Sequence, residues 1–218
     1  MALVQWALNL IGPDNVQKPW NYCNEFVIYL ERNIRTPHLI RFKDARFGLL
    51  SRCSAILIYH WDDLKDFLSS HNYITNKLAI LVRDTMFNHE FTKIMITAVA
   101  AIGLQVISLY HAVNISKNST HSSLKEFFTE LYNKLKNTEV TSEFFTFEKP
   151  AIECVPDNIF QSAKKLYKDE VVNAVSESAK QYPEDCLKLA KLFLPALADG
   201  CCSSEANTTA LEDIPRIK

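Results

Sequence analysis

Glycine is scarce in this chain, and its scarcity excludes two common nucleotide-binding motifs. Only four glycines occur in 218 residues, and they lie far apart at Gly12, Gly48, Gly103 and Gly200. The Walker loop and the dinucleotide-binding loop both need closely spaced glycines, because the backbone must approach the phosphates closely. The sequence therefore cannot form either loop.

A basic excess is also missing. The net charge is -1 at pH 7, and no stretch of the sequence concentrates Lys and Arg. A nucleic-acid-binding surface normally shows such a concentration. We therefore predict no nucleic-acid partner.

The six cysteines lack the spacing of a metal site, and no secretory signal precedes them. We expect reduced, mostly buried thiols in a cytoplasmic protein, with no metal and no cofactor. Cys23 and Cys53 should be structural, since reactive thiols need an electropositive, partly exposed setting. Cys201 and Cys202 follow an apolar helix, where lipidation could attach the chain to a membrane. We favour an unmodified tail.

The central feature of the sequence is the segment from Ser51 to Phe67, SRCSAILIYHWDDLKDF. Its apolar run from Ser54 to Tyr59 has no polar alternation and predicts a strand that is covered on both faces. Asp62 can then cap a helix whose apolar stripe contains Leu64, Phe67 and Leu68. Strand, turn and helix together form half of a βαβ unit.

The same alternation extends along most of the chain. Four further strands are predicted at Val4–Ile11, Thr36–Phe42, Lys77–Val82 and Leu104–Tyr110. Helices are predicted between these strands, and an amphipathic helix at Ser119–Lys136 follows the last one. Such alternation predicts an α/β fold with a five-stranded parallel sheet of order 2-1-3-4-5, covered by helices on both faces.

We predict three parts: an α/β domain over residues 1–137, a linker with a helical extension packed on or beside it over 138–200, and a disordered tail over 201–218. The extension contains two predicted helices, Asp157–Gln181 and Glu184–Ala198. The apolar positions of the second are spread too widely for one stripe. It either packs against the domain, which we favour, or forms an exposed docking face.

The stretch between Lys93 and Lys117 contains no Asp, Glu, Lys or Arg, and it is long enough to cross a bilayer as one helix. Gly103 and Gln105 interrupt its apolar character. A buried helix, His89–Ile102, followed by a buried strand would complete the alternation, with Gly103 ending the helix. We favour this interpretation and do not expect a membrane partner.

The segment from Leu49 to Leu68, LLSRCSAILIYHWDDLKDFL, resembles the third strand and third helix of TIR domains. It is most similar to the divergent TIR domains of B-cell scaffold and phosphoinositide 3-kinase adaptor proteins, where a cysteine-containing apolar strand also precedes a short amphipathic helix. The later elements, from Leu78 to Lys136, are similar to the TIR order. The resemblance implies a signalling adaptor, of the kind used in innate immunity, that acts by protein association.

Departures from the TIR pattern favour a scaffold role over catalysis. TIR domains that cleave NAD carry a glutamate in the helix after the third strand, whereas the matching helix here offers Asp62, Asp63 and Asp66. We therefore expect an intracellular signalling or scaffold module that binds protein partners, including copies of itself, rather than an enzyme.

One candidate active site follows from the predicted sheet. Ligands of such sheets bind near the switch point at the carboxyl ends of the strands. Asp14, His60 and Asp62 would meet there, with Gly12, Trp61, Arg83 and Asp84 nearby. A histidine between carboxylates can act as an acid or base near neutral pH, so these three residues are the candidates for an alternative function as a hydrolase of NAD or nucleotides. In the simpler interpretation, which we favour, the aspartates cap helices and His60 is satisfied by a carboxylate.

Overall fold

The structure is a computed structural model that describes residues 2–18, 21–40, 47–70, 76–109, 112, 129–130, 132–133, 141–148, 155 and 157–195. Within these residues the chain is helical and contains no strand. The predicted α/β fold, with its five-stranded parallel sheet of order 2-1-3-4-5, is therefore wrong. The fold of the described residues is all-helical.

The described helices are short, with eight to thirteen residues each. In chain order they are α1 Ala2–Ile11, α2 Cys23–Arg32, α3 Phe47–Tyr59, α4 Trp61–Ser70, α5 Lys77–Met86, α6 Glu90–Ile102, α7 Asp157–Lys164, α8 Asp169–Gln181 and α9 183–195. Two 3-10 turns, Pro13–Asn15 and Ser142–Phe145, lie between them.

All five segments predicted as strands have another structure. Val4–Ile11, Ser54–Tyr59 and Lys77–Val82 lie in α1, α3 and α5, while Leu104–Tyr110 continues α6 as far as the described residues reach. In Thr36–Phe42, residues 36–40 are irregular and the last two lie outside the described residues. The error has a common cause. A helix buried on all sides is as uniformly apolar as a strand covered on both faces, and a short run cannot distinguish them.

α3 illustrates this directly. Every residue from Ser54 to Ile58 is buried, so no polar face remains to reveal a helical period. Two of its contact partners, α6 and α8, also contact each other, so that α3, α6 and α8 form the centre of the molecule. A hydroxyl pair crosses between two of these helices, since Thr97 Oγ1 lies 2.8 Å from Ser178 Oγ.

The other described helices pack around this centre. α1 contacts α3 and α5, and α2 and α4 contact each other. Asn21 joins α1 to α2: its Nδ2 donates to the carbonyl oxygens of Asn9 and Gly12, while its Oδ1 accepts from the N–H of Cys23. Phe144, Phe145 and Phe147 are buried in the same hydrophobic core. Helices from both ends of the chain therefore share one core.

After Lys93 the uncharged stretch is one continuous helix as far as Leu109, because α6 runs without a break into a π-helical segment, Gly103–Ile107. The predicted helix-then-strand arrangement is wrong. Gly103 has φ -59° and ψ -44°, which is ordinary right-handed helix, so it does not end α6. A Cβ at this position would overlap the side chain of Ser51, so glycine here allows α3 and α6 to approach closely.

By length and composition, Glu90–Ile107 is the one helix among the described residues that could cross a membrane. Within the protein, 67% of this stretch is buried, as is typical of a helix in a protein core. The predicted helix at Ser119–Lys136 falls outside the described residues, apart from 129–130 and 132–133, which are helical. Cys201, Cys202 and the tail 201–218 also lie outside them.

Candidate functional site

His60 lies at the junction between α3 and α4, and its side chain is fully buried. Its Nε2 accepts a hydrogen bond from the backbone N–H of His38 at 3.2 Å. Its Nδ1 lies 3.3 Å from Oδ2 of Asp63. Because Nε2 accepts, the ring proton is on Nδ1 and is donated to the Asp63 carboxylate. The geometry therefore defines a neutral imidazole whose two nitrogens are both bonded.

Burial lowers the pKa of His60 to about 4, since desolvation disfavours the charged imidazolium. The hydrogen bond to Asp63 acts in the opposite direction, and electrostatic interactions with His38 and Arg35 lower the pKa of His60 further. The ring packs edge-on against Phe26 and Tyr59. With no exposed surface and no free nitrogen, His60 cannot reach a substrate in this conformation.

The structure places the other candidate residues in three separate elements. Asp62 is exposed in the first turn of α4, and Asp14 is exposed in the turn Pro13–Asn15. Arg83 and Asp84 pair with each other on α5, with Nε and Oδ1 2.8 Å apart. The sheet edge that was expected to gather these residues is absent from the described chain.

Asp63 is the residue that the sequence argument missed. It contacts both His60 and the guanidinium of Arg35, whose Nε lies 3.2 Å from its Oδ2. The spacing of His60 and Asp63 does indicate this contact, because residues three positions apart at the start of a helix lie on the same face. Together these contacts hold the irregular segment 35–40 against the α3–α4 junction.

A second set of contacts holds the same segment against α8. Nε2 of His38 lies 2.9 Å from Oε2 of Glu170. Segment 37–40 thereby forms one wall of a groove of about 240 Å³. Arg52 and Ile56 of α3 form its floor, and residues 165–168 with Val171 form the opposite wall. We call this feature the cationic groove, because the described residues that line it include Arg52, Lys165 and Lys168 and no carboxylate.

Tyr167 fixes the second wall of the cationic groove. Its hydroxyl is hydrogen-bonded to Ser51 of α3 and to Ser108, which follows the π-helical segment. Burial raises the pKa of Tyr167, so the phenol keeps its proton. Ser108 Oγ in turn donates to the carbonyl oxygen of Gly103 at 2.8 Å. The wall is therefore anchored to two of the central helices.

The described cysteines are buried and have weakened acidity. Desolvation raises the pKa of Cys53 to about 12 and that of Cys186 to about 11, and it also raises the pKa of Cys23. At neutral pH these thiols are protonated, whereas the thiolate is the nucleophilic form.

Ile34 is the most exposed large apolar side chain among the described residues, at 95%. It follows Asn33 at the end of α2 and has φ 56°, in the left-handed region where glycine is usual. The N–H of Arg35 donates to the carbonyl oxygen of Leu30, which completes the helix end. A β-branched residue in this conformation is rare.

α9 has two different faces. Cys186, Ala190 and Leu194 recur at helical spacing and are buried. Leu192 is 71% exposed and Phe193 is 40% exposed. The two interpretations of this helix therefore each describe one of its faces, a packed face and an outer apolar one.

The fold and these features define an all-helical protein with an ordered cationic groove, a buried neutral histidine and exposed apolar side chains. No family model, no curated protein and no solved structure matches this chain. The helices contradict the α/β fold that the TIR resemblance implies, so this resemblance does not support a function.

Proposed function

We propose that this chain is a cytoplasmic interaction module that acts by associating with another protein chain, either a different protein or a second copy of itself. The observation that carries the proposal is Ile34, which combines an unfavourable backbone conformation with an exposed apolar side chain. Signalling or scaffolding is the role that such an activity would serve.

Comparison with Phe147 shows why this combination points to a partner. Both residues have φ 56°, and a non-glycine residue in this region costs about 1–2 kcal/mol. Phe147 is buried in the core, and that burial offsets the cost. Ile34 is 95% exposed, so the free chain gains no compensating burial. Contact with a partner would supply it.

The outer face of α9 supports the same proposal. Leu192 and Phe193 are adjacent and exposed, and large apolar and aromatic side chains are common anchors in protein interfaces. The hydrolase alternative has no comparable support. His60, its expected acid or base, is buried and bonded on both nitrogens.

Ile34→Gly tests the proposal, because it should stabilise the protein and weaken association at the same time. Relief of the left-handed strain, about 1–2 kcal/mol, exceeds the entropic cost of a more flexible unfolded chain, about 0.4–1 kcal/mol. We expect the free energy of unfolding to rise by about 1 kcal/mol in urea titrations. Self-association is measured by sedimentation velocity, and other partners by proximity labelling with quantitative mass spectrometry.

Ile28→Ala is the matched control. Ile28 lies on the same helix with a side chain that is 47% exposed, so this change removes apolar surface without relieving backbone strain. We expect it to keep the wild-type partners. If wild type and Ile34→Gly show the same sedimentation and the same labelled proteins, the proposal is wrong.

A further inference from the structure

We propose that the cationic groove binds an acidic segment of the partner protein that also carries an apolar side chain. This inference rests on the proposed function and names the chemistry of the partner. Arg52, Lys165 and Lys168 surround the groove, all three are exposed, and among the described residues none forms an ion pair.

Four other cations among the described residues are compensated. Arg35, Arg83, Lys180 and Lys188 each pair with a carboxylate. Glu170, at the edge of the groove, is already bonded to His38. The positive charge of the groove is therefore left for a ligand, and a concave surface lined by one sign of charge attracts the opposite sign.

The size of the groove favours side chains over a whole small molecule. Its volume of about 240 Å³ lies below the roughly 300–1,000 Å³ of typical small-molecule sites. Ile56 and Val171 give it an apolar lining between the charges. A peptide can place one apolar side chain there and direct flanking carboxylates at Arg52 and the lysines.

The groove is already formed in the free chain. One wall is tied by the backbone N–H of His38 to His60, and the other by Tyr167 to Ser51. Preformed walls reduce the cost of ordering on binding. Pro37 follows Ile34 by three residues and so lies within about 11 Å of it along the chain. One partner can therefore contact Ile34 and fill the groove.

Selection from a displayed library of random peptides tests this inference on the full chain. The groove variant carries Arg52→Gln, Lys165→Gln and Lys168→Gln. The control variant, Lys180→Gln with Lys188→Gln and Lys191→Gln, removes the same number of charges elsewhere. We expect wild type and control to select peptides with Asp or Glu beside an apolar residue, and the groove variant to lose them. Circular dichroism checks that each variant is folded.

The affinity of a selected peptide is then measured by fluorescence anisotropy. We expect it to fall by about tenfold or more in the groove variant, and equally when the acidic residues of the peptide become amides. Added salt should weaken binding to wild type, because the contacts are exposed ion pairs. Inorganic phosphate and acetate serve as competitors that carry the charge without the peptide.

Four results would overturn the inference: no selected peptide, selected peptides without acidic residues, unchanged affinity in the groove variant, or phosphate or acetate binding as tightly as the peptide. These results are distinct from failure of the proposed function. Peptides that lose affinity with Ile34→Gly but not with the groove variant would leave protein association intact and exclude only the groove.

Discussion

His60 shows, at the scale of one residue, how burial decides chemical role. The sequence predicts an acid or base near neutral pH, with Asp14 and Asp62 as the carboxylates beside it. In the folded chain His60 follows the buried end of α3, so desolvation dominates its protonation. Burial of the residue could be anticipated from the preceding apolar run, but the contact with His38 could not, since it joins residues 22 apart.

The low pKa of His60 predicts a loss of stability in acid. In the unfolded chain its pKa is near the ordinary 6.5, and in the folded chain it is about 4. Between these values the unfolded state binds the extra proton, so the free energy of unfolding falls as pH decreases from about 6.5 to about 4. The contribution of this group is roughly 3 kcal/mol.

Urea unfolding across this pH range measures the effect. His60→Gln should reduce the dependence of stability on pH, while His89→Gln, at an exposed position, should leave it unchanged. Asp63, Arg35 and His38 face His60 and are kept constant in both variants. An equally steep pH dependence in His60→Gln would show that another group is responsible.

At the scale of elements, amphipathic helices could be predicted and fully buried helices could not. The stripe expected after Asp62 is present, with Leu64, Phe67 and Leu68 buried in α4. The buried half of α3 has no polar face, so the sequence shows no helical repeat of polar and apolar positions there. An apolar run of this length is also typical of a strand, and a strand was predicted.

The crossing of α3 and α6 provides the second prediction. Gly103→Ala would place a Cβ against Ser51, so the two central helices would have to separate. We expect a loss of about 1–3 kcal/mol in the free energy of unfolding, as is typical of overpacking. Thermal and urea unfolding measure it.

Ser51→Gly in the same chain provides the test of mechanism. It removes the side-chain atoms that the new methyl group would overlap. The free energy of unfolding of the double variant should therefore fall by less than the sum of the decreases in the two single variants. Purely additive losses would show that the cost of Gly103→Ala arises elsewhere.

At the scale of the whole molecule, the important contacts join distant parts of the sequence. α3, α6 and α8 meet at the centre, although α8 begins more than 100 residues after α3. Arg52 and Lys165 lie on the same groove and are 113 positions apart. Patterns within a short window carry no information on such pairings. This is why neither the helical fold nor the groove could be predicted, whereas individual amphipathic helices could.

The central position of three helices predicts a hierarchy of local stability. Backbone amides in α3, α6 and α8 should exchange hydrogen most slowly, since opening them requires loss of the shared core. Amides of α9, whose outer face is exposed, should exchange sooner. Hydrogen exchange of the full chain, followed by mass spectrometry of its peptides, measures this order. Equal exchange rates in α3 and α9 would contradict it.

The π-helical turn at Gly103–Ile107 accommodates one more residue than the same length of α-helix. A homologue lacking one residue at this point would have a regular α-helix there. Its following side chains, including the counterpart of Ser108, would be rotated by about 100° around the helix axis. The hydroxyl that binds Tyr167 would then face another direction. An alignment of this protein with a homologue should therefore allow a single-residue gap here, and the gap would indicate whether that homologue can form the groove.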